Sequence, residues 1–120
     1  MAVPNIVNVA TIHGKVVSGE LDTTTTTALL TCASEHVYKI NTILISNIDG
    51  TNACDVTMTV RSDGSNDRSI ATTISVPADS TLALIDKNTG FYLEEADIIK
   101  GGASANSDLT YLISYEDLLD

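Results

Sequence analysis

Residues 37–60 constrain the fold more than any other stretch of this chain. They run as an apolar segment (VYKINTILISNI), a turn at Asp49-Gly50-Thr51-Asn52, and a second segment (ACDVTMTV). In the second segment Cys54, Val56, Met58 and Val60 fall on one side, and Asp55, Thr57, Thr59 and Arg61 on the other. Strict alternation of this kind is the period of a strand with one buried and one wet face. Asp-Gly between two such segments is a hairpin signal, so the stretch is expected to fold back on itself. The first segment lacks a clean phase, because Ile43, Leu44 and Ile45 are consecutive. It is either buried on both faces or carries a bulge, and in both cases it reads as a central strand.

The 120 residues suit one domain with its own core. Aromatic residues make up only 4% of the chain, so that core must be aliphatic. Six Lys and Arg stand against sixteen Asp and Glu, a formal charge of −10. Such a field repels phosphate backbones and anionic lipid, which argues against nucleic-acid and membrane roles. No apolar run approaches the roughly 18–20 residues that span a bilayer, and no charged segment followed by an apolar one marks a secretory signal. Cys32 and Cys54 have neither CxxC spacing nor a His cluster nearby, which argues against a metal site. A disulfide between them stays open, but without a secretion signal they read rather as buried free thiols in a reducing compartment. No cofactor or metal is expected.

The remaining segments supply strands and turns. Residues 1–13 read as an N-terminal arm or edge strand, with Pro4 unsuited to a central ladder. His13-Gly14 is expected to break the chain there, leaving 14–120 as the domain. Asp22 and the five threonines Thr23 to Thr27 read as a turn leading into a strand. Arg61 to Arg68 is a polar hairpin tip; its Asp63, Asn66 and Asp67 lack the ligand periodicity of a calcium loop. Ile70, Thr72, Ile74 and Val76 alternate on one side of another strand. Glu94, Glu95 and Asp97 sit on one corner, which is not how a glycosidase presents two facing carboxylates. Gly101 to Ser107 reads as a small-residue loop without a phosphate-binding helix. Leu109, Tyr111, Ile113 and Tyr115 share a face of the last strand, and residues 116–120 read as an acidic tail. The expected fold is all-β, a single antiparallel β-sandwich of jelly-roll or immunoglobulin-like topology; absence of Trp disfavours a true immunoglobulin domain. No Ser/His/Asp, Cys/His or metal constellation stands out, so the chain is not expected to be an enzyme.

Val37 to Asn47 with Asp49-Gly50, Ser75-Val76-Pro77-Ala78-Asp79-Ser80-Thr81-Leu82, and Tyr92-Leu93-Glu94-Glu95-Ala96-Asp97 together carry a resemblance. They resemble small virion structural proteins of tailed bacteriophages, especially those of marine cyanobacterial phages, over about residues 28–116. The shared features are turns and strand patterns, with no active site to carry over. The resemblance implies a virion protein assembled in the host cytoplasm, with capsid decoration (cement) as the leading role. Its alternatives are a neck, tail or fibre component, or a module binding host-surface carbohydrate. Expected partners are other copies of the chain, as a trimer, and virion proteins such as the major capsid protein. Val3, Ile6, Val7, Val9 and Ile12 give the arm five large aliphatic side chains and mark it as the expected interface.

Overall fold

A computed structural model describes residues 11–86 and 88–119. Within them lie nine strands: β1 (Thr11–Glu20), β2 (Ala28–Thr31), β3 (His36–Asn47), β4 (Cys54–Arg61), β5 (Asp67–Val76), β6 (Thr81–Ile85), β7 (Phe91–Leu93), β8 (Ile98–Ala103) and β9 (Leu109–Leu119). One sheet has the order β1-β9-β3-β6, with β7 also paired to β3; the other has the order β2-β8-β4-β5. Every pairing is antiparallel.

The pairs are nested. β4 meets β5, β3 meets β6 and β7, β2 meets β8, and β1 meets β9. The chain is thus one long antiparallel ribbon, closed at the β4–β5 tip and wrapped so that successive arms alternate between sheets. This is jelly-roll topology. Of the two topologies open from the sequence, the immunoglobulin-like one is ruled out by the strand order.

The stretch expected to be a hairpin is not one. β3 and β4 lie in different sheets, and residues 48–53 carry the chain across the sandwich. Asp49-Gly50 still turns the chain, with Asp49 Oδ1 accepting from the backbone N–H of Thr51 at 2.8 Å. Buried Asn47 fixes the direction: its Nδ2 donates to the Asn52 carbonyl at 3.0 Å and to the Val76 carbonyl at 2.9 Å. Val76 ends β5, whose own crossing through Pro77–Ser80 runs alongside. The Asp79 N–H donates to the Asp49 carbonyl at 3.2 Å.

β3 is central, and its consecutive Ile-Leu-Ile is explained by a bulge. Ile40 pairs with Tyr115 and Thr42 with Ser114, so Asn41 is the extra residue. The buried set accordingly moves from Tyr38 and Ile40 to Ile43 and Ile45, leaving Leu44 on the outer face. β4 keeps the alternation read from its sequence, with Cys54, Val56 and Met58 buried. β5 does not. Its register to β4 shifts twice, Thr73 adopts φ 45°, and the residues it buries are Ala71 and Val76. In β9, Leu109, Ile113 and Tyr115 face inward as expected.

Three boundaries differ from the sequence reading. His13 and Gly14 break nothing: β1 runs through them, in register with Asp117 and Glu116. The acidic tail is strand as far as Leu119, held between β1 and β3. Gly101 and Gly102 belong to β8 rather than to a loop, and close packing accounts for them. A Cβ on Gly102 would lie 2.6 Å from the Thr24 carbonyl oxygen, so the threonine turn rides directly on the sheet. Asp22 Oδ1 holds that turn through the Thr24 N–H at 2.9 Å, and the chain then enters β2 as expected. Gly102→Val should therefore lower stability by about 1–3 kcal/mol, because backbone rather than a flexible side chain must move. Urea unfolding checks this, and an unchanged midpoint would show that the turn lifts off freely.

Candidate functional site

Two places in the sandwich gather distinctive side chains: a buried ionic cluster at one end, and the outer face of the β1-β9-β3-β6 sheet. Asp117 continues the inward phase of β9 and is 1% exposed. Lys15 Nζ lies 2.7 Å from its Oδ2, and His36 Nδ1 lies 2.5 Å from its Oδ1. β1 and β3 flank β9, so the three side chains converge from neighbouring strands. Burial alone would raise the pKa of the carboxyl; hydrogen bonds from Lys15 and His36 outweigh burial and hold it below its ordinary value. Facing an ionised carboxylate, Nδ1 of His36 carries the proton and donates.

Cys32, Tyr38 and Tyr115 surround the cluster. The Tyr rings are tilted at 37° with centroids 4.8 Å apart, and His36 meets Tyr38 edge-on. Cys32 Sγ donates to the His36 carbonyl at 3.3 Å, and burial pushes the thiol up to about 11. A hydrogen-bonded His–Asp pair beside a Cys resembles the parts of a nucleophilic site. Here the thiol points at a backbone carbonyl rather than at the imidazole, and burial favours its protonated form over the thiolate that such chemistry uses. The cluster fixes three strands together.

The other residues singled out in the sequence have structural partners. Glu95 Oε2 accepts from the Glu35 N–H at 2.6 Å, and Asp97 Oδ2 from the Glu94 N–H at 2.9 Å, so this acidic corner braces turns. Asp63 accepts the N–H groups of Asn66 at 2.7 Å and Ser65 at 2.9 Å, which bring its pKa down to about 2. Asp67 pairs with Arg61 at 2.9 Å and with Lys100 at 3.3 Å. Cys32 and Cys54 are both free and buried. No group of three or more His, Cys, Asp or Glu among the described residues is arranged to hold a metal.

The outer face of the β1-β9-β3-β6 sheet follows from register. Outward residues form rows across β3, β9 and β1: Lys39–Glu116–Gly14, Thr42–Ser114–Val16, Leu44–Leu112–Ser18 and Ser46–Thr110–Glu20. Ile12 lies above them opposite Leu118, and Tyr92 of β7 lies opposite Lys39. Among the described residues, four of the six exposed large hydrophobic side chains are on this face: Val16 at 60%, Ile12 at 58%, Tyr92 at 47% and Leu112 at 38%. A groove of about 390 Å³ crosses it, lined by Ser18, Glu20, Leu44, Ser46, Thr110 and Leu112. Of the residues in the expected interface, Ile12 is on this face, in β1. Val3, Ile6, Val7 and Val9 lie outside the described residues.

The fold and this face define a jelly-roll sandwich with one outer sheet face enriched in apolar side chains. No family profile, curated protein sequence or solved structure matches the chain.

Proposed function

We propose that the chain is a non-enzymatic structural protein of a tailed-phage virion, a decoration protein that seats its β1-β9-β3-β6 face on the outer shell. The observation that carries this reading is the collection of Leu44, Leu112 and Tyr92 on one sheet face. Its rows otherwise hold Ser, Thr, Gly14 and Val16, with charge only at Lys39, Glu116 and Glu20. In a chain of net charge −10, a face so short of carboxylates is suited to being covered. The resemblance of its turns and strand patterns to those of phage virion proteins supports the same role. Jelly rolls serve in capsids and in lectins alike, so the fold by itself does not choose between shell and glycan.

Cryo-electron microscopy of purified virions tests the proposal directly. Many copies on the capsid exterior, with Leu44 and Leu112 against the shell protein, are expected. Leu112→Glu should then abolish binding of the purified protein to undecorated particles while leaving its fold intact. A few copies at the neck or tail, or glycan binding by the isolated protein, would overturn the decoration role.

A further inference from the structure

We infer that β1 is an open docking edge whose partner is β1 of a second copy, joined antiparallel about a two-fold axis at Gly14. This goes beyond the virion role and does not depend on it, because the pair forms from the isolated protein. A sheet edge presents unpaired backbone groups, and proteins blunt such edges with shortness, bulges or proline. In this sandwich β2, β6 and β7 have four, five and three residues, and β5 is bent by two register shifts. β1 has none of these devices, and its one mid-strand charge, Lys15, is paired with Asp117 rather than left bare. It keeps ten consecutive pairs with β9, without a shift and without proline.

No described strand pairs with the outer edge of β1, and that edge has a defined pattern of donors and acceptors. Leu21 continues the β1–β9 register, and its N–H donates to Leu109 directly opposite at 2.8 Å. Antiparallel ladders alternate, so odd-numbered residues of β1 bond to β9 and even-numbered ones face away. The backbone N–H and C=O of Ile12, Gly14 and Val16 therefore point to the open side. A two-fold axis at Gly14 places Gly14 opposite Gly14 of the second copy, and Ile12 opposite its Val16. Three hydrogen-bonded pairs result.

Side chains select this register over its neighbours. Ile12 and Val16 are the two most exposed large hydrophobic residues described, and both project from the outer face. Pairing about Gly14 buries all four of them against one another across the seam, over a glycine with open space where its Cβ would be. Shifting one step sets Lys15 opposite Lys15 of the second copy, which opposes pairing. Shifting two steps sets Ile12 opposite Glu20. Charge also permits the contact: Thr11 to Val17 holds no carboxylate, although the chain carries −10 overall. The product is a continuous ten-stranded sheet with two-fold symmetry, a different unit from the trimer expected from the sequence.

Sedimentation equilibrium of the full chain tests the inference. Twice the chain mass is expected, and a monomer or a trimer would overturn it. Val16→Lys and, separately, Val16→Pro should halve the mass while circular dichroism stays unchanged. Pro removes an N–H that β9 does not use; should it disturb the strand, Val16→Lys still decides. Gly14→Cys should form a disulfide-linked dimer on oxidation, since opposed Cα atoms in such a pair lie about 5.5 Å apart. A deletion of residues 1–10 should leave the dimer intact. Retention of the dimer in Val16→Lys, no cross-link at Gly14→Cys, or loss of the dimer on deletion would each overturn the assignment.

Discussion

Replacing Lys15 by Met and His36 by Phe together is expected to lower stability by about 3–5 kcal/mol, the usual loss when a buried ion keeps its charge without partners. For a domain of this size that corresponds to about 10–20 °C in midpoint. The loss arises at Asp117, whose carboxylate is buried and bonded by these two side chains. Adding Asp117→Leu to the same protein should restore most of the stability, since an apolar trio is often as stable as a buried ionic one. Thermal unfolding of the parent, the double and the triple variant separates the possibilities. A double variant within 1 kcal/mol of the parent would mean that water or another group already satisfies the carboxylate.

The same carboxylate sets a pH dependence of known sign. Its pKa is lower in the folded protein than in the unfolded chain, so the unfolded chain binds more protons on acidification. The contribution is fully present above about pH 4, the ordinary range for Asp, and is lost as pH falls through the depressed value. Asp63 acts in the same direction. Protonating other carboxylates relieves repulsion in a chain of charge −10, which has the opposite sign. The triple variant isolates Asp117: its stability should fall less than the parent's below pH 4.

Much of the sandwich was legible because strands write their faces into sequence. The alternations through Cys54 to Met58 and through Leu109 to Tyr115 need only local period, and both match the burial. Pairing partners are another matter. Asp49-Gly50 makes a turn in a hairpin or in a sheet-to-sheet crossing alike, and the choice between them rests on Asn47 reaching Val76, 29 residues away. Gly102 was opaque for a similar reason, since the threonine turn that demands it lies some 80 residues earlier. Asp117 could have been found. Extending the phase of Ile113 and Tyr115 by one step puts its carboxylate inside, and a buried carboxylate requires cationic or hydrogen-bonding partners. The outer face could not be located without the bulge at Asn41, because that bulge turns Leu44 outward.

Asn47→Asp is expected to cost about 3 kcal/mol or more, a large effect from a change of one terminal group. Asn47 is buried at the end of β3, where the crossings that follow β3 and β5 run side by side. Its amide nitrogen donates to two carbonyls, those of Asn52 and Val76, while its Oδ1 accepts the Asp49 N–H at 2.9 Å. An amide satisfies all three at once. A carboxylate keeps the acceptor but replaces the donor with negative charge aimed at two carbonyl oxygens, in a site with little water to screen it. Leu at this position should cost less, about 1–3 kcal/mol, because it leaves polar groups unpaired without adding charge. Lowering the pH should recover part of the Asp variant, since the protonated acid again offers one donor. Urea unfolding of both variants at neutral pH and near pH 4 checks the ordering. An Asn47→Asp variant as stable as the Leu variant at neutral pH would show that the two crossings part and let water reach the site.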